Sequence, residues 1–482
     1  MCFVFNLKEF KDRVAVIDQS GEQFYYGGLI DISGMLGSYF GTGDKKLVII
    51  LAGNNIETIT GYLSALQGGH TVMLLDARLD KGLLGSLIGL YHPDFIWGPG
   101  ESNRSGIYQY KNYQLYQLGW EEKNVQLHPD LALLLSTSGS TGSPKLVMLT
   151  RENLMANARS IGLYLNLSED EKAITILPVH YSYGLSVINS HLAVGATVLL
   201  TDTPIVRKDF WDFFKSAAGT SLAGVPYTYE ILKRIGFSRM YLPSLRYITQ
   251  AGGKMDSQLI IEYARLSREK GFLFYVMYGA TEATARMAYL SPEYNITKPE
   301  SIGKPIPNGN IKLIDKSGNT IIYPKTVGQL VFQGPNVMMG YARCRDDLSG
   351  GDQLQGVLPT DDLGYFDEEG FFYITGRISR FLKILGNRIS LSEIEEHLNN
   401  LGFNCYCGGD DHMLLVACVQ GEKNEGHQEI HNKIRMEIMI RYKIPLDLIG
   451  VFSIKNLPRS ASGKVKYGEI FSDCRSNGER AI

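Results

Sequence analysis

The sequence is short of several things, and each shortage closes off a class of protein. Cysteine is scarce, with six in 482 residues. Cys2, Cys344, Cys405, Cys407, Cys418 and Cys474 form no C-x-x-C pair and no Cys/His zinc spacing, so a reducing, cytoplasmic setting is the simplest account. No run approaches the ~20 apolar residues of a membrane span. The opening MCFVFNLKEFKDR has too short an apolar part, wrongly flanked, for a signal peptide. An excess of one charge is also missing. A net charge of −2 argues against a general nucleic-acid binder. No repeat with a period of roughly 20–50 residues is present, which argues against a solenoid.

What the sequence does have is a regular alternation. Apolar runs at 14–17, 47–51, 72–75, 131–135, 173–177, 197–200, 222–225, 245–249 and 273–277 read as strands. Helical spacing lies between several of them: Leu29, Ile32, Leu36 and Tyr39 share a face, and 56–66 reads as a helix. Strand-then-helix order predicts right-handed crossovers and largely parallel sheets, hence an α/β fold. Near residue 300 the pattern changes. Runs at 311–315 and 320–322 flank Lys316-Ser317-Gly318-Asn319, and runs at 365–367 and 371–374 flank Glu368-Glu369-Gly370. These hairpin signals predict antiparallel β structure over about 300–376, closing into a small β-barrel. The polar stretch Gly376-Arg377-Ile378-Ser379-Arg380 then separates a tail. In the tail Ser392 and Glu395 have the spacing of a capping box, opening a helix with Ile394, Leu398 and Leu401 on one face. Ile430, Ile434 and Ile438 form a second stripe that stops before Pro445, with strand-like 414–419 between. The tail reads as a small α+β module on a tether.

The most informative stretch is 131–147, LALLLSTSGSTGSPKLV. A buried strand runs into Ser136, Thr137, Ser138, Gly139, Ser140, Thr141, Gly142 and Ser143, followed by Pro144 and Lys145. Gly139 and Gly142 let the backbone approach a ligand with its N–H groups turned inward. Four Ser and two Thr hydroxyls add donors, and Lys145 adds a positive charge. A helix with Thr150 as N-cap is expected to follow. Taken alone, such a tract also reads as a flexible surface connector. Between a buried strand and a capped helix it suits a polyphosphate, although no Walker pattern is present.

These residues resemble the phosphate-loop signature of the adenylate-forming superfamily, which includes acyl-CoA synthetases, adenylation domains of nonribosomal peptide synthetases and luciferases. The family usually has Gly after the Lys; here Leu146 stands there. Three further motifs follow in the family's order. In Tyr278-Gly279-Ala280-Thr281-Glu282, just past a predicted strand end where α/β sheets bind ligands, the resemblance places Thr281 on phosphate and Glu282 on Mg²⁺, a hard cation suited to a carboxylate. In Pro359-Thr360-Asp361-Asp362-Leu363-Gly364 it makes Asp362 the acceptor of the ribose hydroxyls, with Arg377 also reaching the ribose. Asp361 replaces the family's Gly, placing a second charge next in sequence. In Leu457-Pro458-Arg459-Ser460-Ala461-Ser462-Gly463-Lys464 it brings Lys464 to the carboxylate and phosphate oxygens during adenylation, where a cation offsets the repulsion of two anions. The resemblance also implies two doubly wound α/β sheets within 1–376, a hinge at 377–380 and a mobile C-terminal domain at 381–482 that presents a second face for thioester formation. Ser379 stands at the usual Asp or Lys pivot, and Lys383 and Gly386 match the segment that approaches the thiol.

For the acid, Pro178-Val179-His180-Tyr181-Ser182-Tyr183-Gly184 matches the pocket wall, making His180, Tyr181, Tyr183 and Gly184 pocket residues. Amino-acid-activating members carry an Asp here that holds the ammonium; its absence disfavours an α-amino acid. Tyr227, Gly252, Gly253 and Ala280 complete the expected surroundings, Gly252 on the nucleotide side with Tyr278 and Gly279. Tyr183, Tyr227 and Tyr229 suggest a modest pocket with polar handles. Arg286 is read either as meeting a polar or anionic substrate group or as facing solvent or pairing structurally. His180 and Tyr181 also admit a reading as core residues. The function implied is an ATP- and Mg²⁺-dependent carboxylate ligase that forms an acyl-AMP and passes the acyl group to a thiol. That thiol is coenzyme A or the phosphopantetheine of a separate carrier protein. The alternatives are adenylation alone, separable by product analysis with and without thiol, or a nucleotide-binding scaffold that releases no pyrophosphate.

Overall fold

The computed structural model describes residues 6–100, 105–120, 125–136, 145–384, 387–410, 412–419, 427–459 and 465–476. It divides into two compact units, residues 1–311 with 332–358, and residues 312–331 with 359–482.

In the first unit the apolar runs pair as two sheets. One has the strand order Gly340–Ala342, Leu146–Thr150, Leu131–Ser136, Thr71–Asp76, Leu47–Ala52, Phe95–Pro99, Tyr113–Gln117, Tyr108–Tyr110. Its centre is parallel and its edges antiparallel. Parallel strands covered on both faces read as unbroken apolar runs, as Leu47–Ala52 and Leu131–Ser136 do. The other sheet runs from Val14–Asp18 through Thr197–Leu200, Lys172–Ile174, Ser221–Gly224 and Tyr247–Gln250 to Leu273–Tyr278, all parallel. Ala288–Leu290 and Ser301–Pro305 then follow antiparallel. Ile56–Gln67 and Ser182–Ala193 are buried nearly all round, which requires packing on more than one side. They touch through Asn189, whose Nδ2 donates to Tyr62 Oη at 3.2 Å. The helix after the Ser/Thr/Gly stretch, Arg151–Tyr164, starts where the sequence places its cap. Thr150 Oγ1 accepts from the Asn153 N–H at 3.0 Å, and Asn153 Oδ1 accepts from the Thr150 N–H at 2.8 Å.

In the second unit Val357–Phe366 and Phe372–Arg377 form the expected hairpin. Among the described residues no strand pairing closes the antiparallel region into a barrel. The tail is α+β. Cys405–Asp410, Met413–Val419 and Ile449–Ile454 form a sheet. The helices Leu391–Asn400 and His427–Tyr442 bury Ile394, Leu398, Ile434 and Ile438 in one core with Cys405, Cys407 and Cys418. The helix cap differs from the expected one. Ser390, not Ser392, accepts from the Glu393 N–H. Glu395 instead takes two bonds from Arg380, at 3.0 and 2.6 Å, and one from the Cys407 N–H. A bidentate guanidinium offers a carboxylate more than one backbone N–H does.

Packing fixes one tautomer in the first unit. His191 Nδ1–H donates to Val187 O at 2.7 Å, so its Nε2 accepts from Tyr247 Oη at 2.8 Å. Burial lowers the His191 pKa from 6.5 to about 4, the Val187 bond opposing and Arg286 assisting. Between these values the unfolded chain binds a proton that the folded chain refuses, so stability falls as pH drops through the window. For His191 the loss is on the order of 3 kcal/mol. Denaturation midpoints followed from pH 7 to pH 4 are expected to fall, and to fall less steeply in His191→Gln.

Candidate active site

Two antiparallel strands frame the Ser/Thr/Gly loop, with Ser136 opposite Leu146. Thr137, Ser138, Gly139, Ser140, Thr141 and Gly142 lie outside the described residues. Lys145 is described, and its Nζ stands 3.4 Å from the centroid of the Tyr341 ring. Tyr341 belongs to the edge strand Gly340–Ala342, which places it opposite Val147. Its hydroxyl donates to Glu282 Oε1 at 2.8 Å. Burial, then the adjacent Glu282 charge, push the phenol pKa well up, so the hydroxyl keeps its proton. A cation, a ring and a carboxylate thus form one chain. The motifs name both ends; Tyr341 is placed there by strand pairing alone.

Glu282 is presented by a turn that the sequence marks and the structure holds under tension. Leu273–Tyr278 ends at Tyr278, and the chain folds back so closely that a Cβ on Gly279 would lie 1.7 Å from Ala285 O. Ala280 is extended, and Thr281–Ala283 makes one 3₁₀ turn. Thr284 and Ala285 then take φ of 62° and 154°, which side-chain-bearing residues avoid. Asn336 fixes the shape. Its Nδ2 donates to Ala283 O at 2.8 Å and to Arg286 O at 3.0 Å, and its own carbonyl accepts from Thr284 Oγ1 at 2.7 Å. The Met338 N–H donates to Glu282 O at 2.9 Å. No sequence signal identifies Asn336, because the partners of its side chain are main-chain atoms distant in sequence.

The expected acid-pocket segment meets this turn. Ser182, first residue of Ser182–Ala193, has its Oγ 3.0 Å from Thr281 Oγ1. Gly184 has no room for a side chain, since a Cβ would lie 2.3 Å from Pro178 O. Gly252 has φ 85°, and a Cβ there would meet the Tyr181 hydroxyl at 2.6 Å. Burial pushes the Tyr181 phenol up to about 12. Gly253 lies against Pro226, and Tyr227 follows at the start of Pro226–Arg234. Tyr183 and Tyr229 are no polar handles: both hydroxyls donate to Thr249 O, at 2.9 and 2.6 Å. Their rings are buried and their donors spent on an interior strand of the sheet. His180 turns to Asp76, with Nε2 3.7 Å from Oδ2, while Nδ1 is buried without a hydrogen-bond partner. Burial lowers the His180 pKa, Asp76 opposing, so the ring is neutral near pH 7. Asp76, like Tyr341, is not marked by any motif. Arg286 is fully buried, so the solvent-facing alternative is excluded.

The second unit contains Asp362 and Arg377, direct partners across the hairpin. Arg377 Nε donates to Asp362 Oδ1 at 2.7 Å, and the Asp362 N–H donates to Thr360 Oγ1 at 3.2 Å. The strand alternates: Leu358, Thr360 and Asp362 are buried, and Pro359 and Asp361 are exposed. Asp361 therefore points to the opposite face from Asp362, and its extended backbone has no need of glycine. Ser379 falls in the turn Ile378–Arg380 and Lys383 in the strand Phe381–Ile384; their side chains, with Gly386 and Lys464, lie outside the described residues. The segment of Lys464 is flanked by a bridge between Arg459 and Val465. Among the described residues no three His, Cys, Asp or Glu side chains converge on a metal position. Magnesium carried on phosphates needs only one or two protein carboxylates, and Glu282, half-buried with Oε1 held by Tyr341, fits that requirement.

A family model described as AMP-binding enzyme matches residues 3–342. The 2-succinylbenzoate–CoA ligase of Bacillus cereus strain Q1 is 31% identical over 463 residues, covering 92% of this chain and 91% of its own length. The same ligase from strain AH820 is 28% identical over 454 residues, covering 90% and 89%. Among solved structures, o-succinylbenzoate CoA synthetase from Bacillus subtilis with its acyl-adenylate intermediate aligns at a TM-score of 0.76 with 25% identity, covering 95% of each chain. ATP-bound MatB from Rhodopseudomonas palustris shares the fold at a TM-score of 0.77 with 19% identity, covering 98% of this chain and all of its own.

Asn336→Ala removes both side-chain bonds to the turn and leaves a buried carbonyl unpaired. A loss of about 3 kcal/mol is expected. Urea denaturation measures it, and an unchanged midpoint would show that the turn holds its shape without Asn336.

Proposed function

Because this chain belongs to the AMP-binding enzyme family, we propose residue roles for its activity as an ATP-dependent, AMP-forming acid–thiol ligase. The enzyme activates a carboxylic acid as its acyl-adenylate, with release of pyrophosphate. The observation that carries the reading is the Lys145–Tyr341–Glu282 chain at the root of the Ser/Thr/Gly loop. It provides one cation for phosphate oxygens and one fixed carboxylate for the Mg²⁺ that accompanies them. Residues 137–142 and Gly279 line the phosphates, and Thr281 adds a hydroxyl donor beside Ser182. Gly252 and Tyr278 flank the nucleotide. Asp362 accepts from the ribose diol, and Arg377, already bonded to it, orients that carboxylate.

The acid lies along Tyr181, Gly184, Gly253 and Ala280, with Tyr183 contributing a ring face and Tyr227 the rim. Neutral His180, anchored toward Asp76, adds a polar edge without a charge. The acceptor thiol is coenzyme A, as the relatives' names support. A carrier's phosphopantetheine arm is the variant that an acceptor assay separates. Ser379 is assigned as pivot between the two half-reactions, and Lys383 and Gly386 are assigned to the thiol half-reaction. The scarcity and spacing of cysteine support a reducing, cytoplasmic setting. No described helix is long and apolar enough to cross a membrane.

Lys464 is assigned to the first half-reaction. One charge at ~4 Å with an effective dielectric of ~20 contributes up to roughly 4 kcal/mol, or about a thousandfold in rate. Lys464→Ala is expected to lose acid-dependent ATP–pyrophosphate exchange on that scale while still converting supplied acyl-adenylate to thioester. An undiminished exchange rate removes the assignment.

A further inference from the structure

We propose that Arg380 is a positioning residue for adenylation: it locks the chain leaving the pivot to the flank of the Lys464 segment, so that a turn at the pivot moves Lys464. The inference rests on the ligase roles above and adds to them the part that transmits the movement.

The hinge expected from the sequence is 377–380, and an arginine stands at each end of it. The two are held differently. The Arg377 side chain is 60% exposed and donates to Asp362 of the preceding hairpin. The Arg380 side chain is 21% exposed and is bonded to the tail. Its Nη1 donates to Glu395 Oε2 and to Tyr467 Oη, each at 3.0 Å. Its Nη2 donates to Glu395 Oε1 at 2.6 Å and to Cys407 O at 3.0 Å. The Tyr467 ring lies against the guanidinium, 4.1 Å from its central carbon. Every proton on the two terminal nitrogens is thereby used. Glu395 is satisfied in turn, since it also accepts from the Cys407 N–H at 2.6 Å and from the Tyr467 hydroxyl at 3.2 Å. Burial, then the Glu395 charge, raise the Tyr467 pKa with Arg380 opposing, so the phenol keeps its proton for that bond. An exposed ion pair is readily traded for water, whereas a buried one cannot lose a partner without stranding a charge. Arg380 therefore belongs to the tail, and turning is left to Ile378 and Ser379.

What Arg380 holds gives it a use. Its partners come from three elements, Leu391–Asn400, Cys405–Asp410 and Tyr467–Ser476. The last begins three residues after Lys464. The flanks of that segment are tied together, because Arg459 bridges Val465 and the Lys466 N–H donates to Pro458 O at 2.9 Å. Leu457, Val465 and Tyr467 pack against one small core of Ala417, Ile470 and Phe471. Pivot and Lys464 flank, far apart along the chain, are thus joined through one guanidinium and one phenol. A cation that must stand between two anions tolerates little error, and a misplacement of ~1 Å costs about a hundredfold in rate.

The test measures acid-dependent ATP–pyrophosphate exchange in wild type, Arg380→Gln, Arg380→Lys and Tyr467→Phe, each repeated in a Lys464→Ala background. Arg380→Gln is expected to lower kcat by about tenfold to a hundredfold. The KM values for ATP and acid should stay within about threefold of wild type. Tyr467→Phe keeps the ring and the Arg380–Glu395 pair, and should lower kcat by about threefold to tenfold. Arg380→Lys should recover part of the loss. In the Lys464→Ala background none of the three should lower the residual rate by more than about twofold, because the cation they place is gone. Backbone hydrogen exchange forms a second arm that needs no catalysis and applies if Arg380→Gln folds poorly. In Tyr467→Phe the amides of 380–384 and of 465–470 should exchange faster together, with those of 427–442 unchanged. Equal losses with and without Lys464, a wild-type kcat in a folded Arg380→Gln, or wild-type hydrogen exchange in Tyr467→Phe overturns the proposal. Joint loosening of the two segments in a protein that exchanges pyrophosphate with no acid would support the Arg380 link and count against the ligase roles. Acid-dependent exchange with losses independent of Lys464 would do the reverse.

Discussion

One phenol organises the reactive end of this protein. Tyr341 has its ring against the Lys145 ammonium and its hydroxyl on the Glu282 carboxylate. Among the described residues no ion pair joins the two charges directly, so neither is spent on the other. A cation over an aromatic face is held by about 0.5–2 kcal/mol. That is enough to orient a lysine and weak enough for a phosphate to take it. The phenol in turn donates to one carboxylate oxygen without neutralising it. The two opposite charges stay apart because a neutral group stands between them.

The rest of the first unit secures that arrangement. The edge strand Gly340–Ala342 fixes Tyr341 by backbone pairing to the strand leaving the loop. Asn336, a few residues upstream, braces the turn that carries Glu282, offsetting two unfavourable backbone conformations at Thr284 and Ala285. One short segment thus positions both the phenol and the carboxylate it holds. The same turn ends in Arg286, whose main-chain carbonyl is also held by the Asn336 amide.

Much of this was legible in the sequence, and what was not has physical reasons. Unbroken apolar runs located the parallel strands because such strands are covered on both faces. Thr150 announced its helix because a cap acts within three residues. The Ser/Thr/Gly stretch, the Tyr278–Glu282 turn and the Asp362 hairpin are marked by local motifs. Tyr341, Asn336 and Asp76 did not, because their partners come from other elements. The choice of Ser390 over Ser392 depended on Arg380 claiming Glu395, a tertiary competition. The orientation of Asp361 followed from strand alternation, which a motif-level reading overlooks. Arg286 was visible as a charge near Glu282, but only packing shows that it is buried, with no acid beside its guanidinium among the described residues.

The central claim is that Tyr341 acts through Glu282, and a double-mutant cycle tests it. Tyr341→Phe, Glu282→Gln and the pair are compared with wild type in magnesium-dependent ATP–pyrophosphate exchange. If the phenol works by holding the carboxylate, adding Tyr341→Phe to Glu282→Gln costs little more, and the coupling is about 1–3 kcal/mol. Fully additive losses would contradict the account, since Tyr341 would then act independently of the carboxylate it touches.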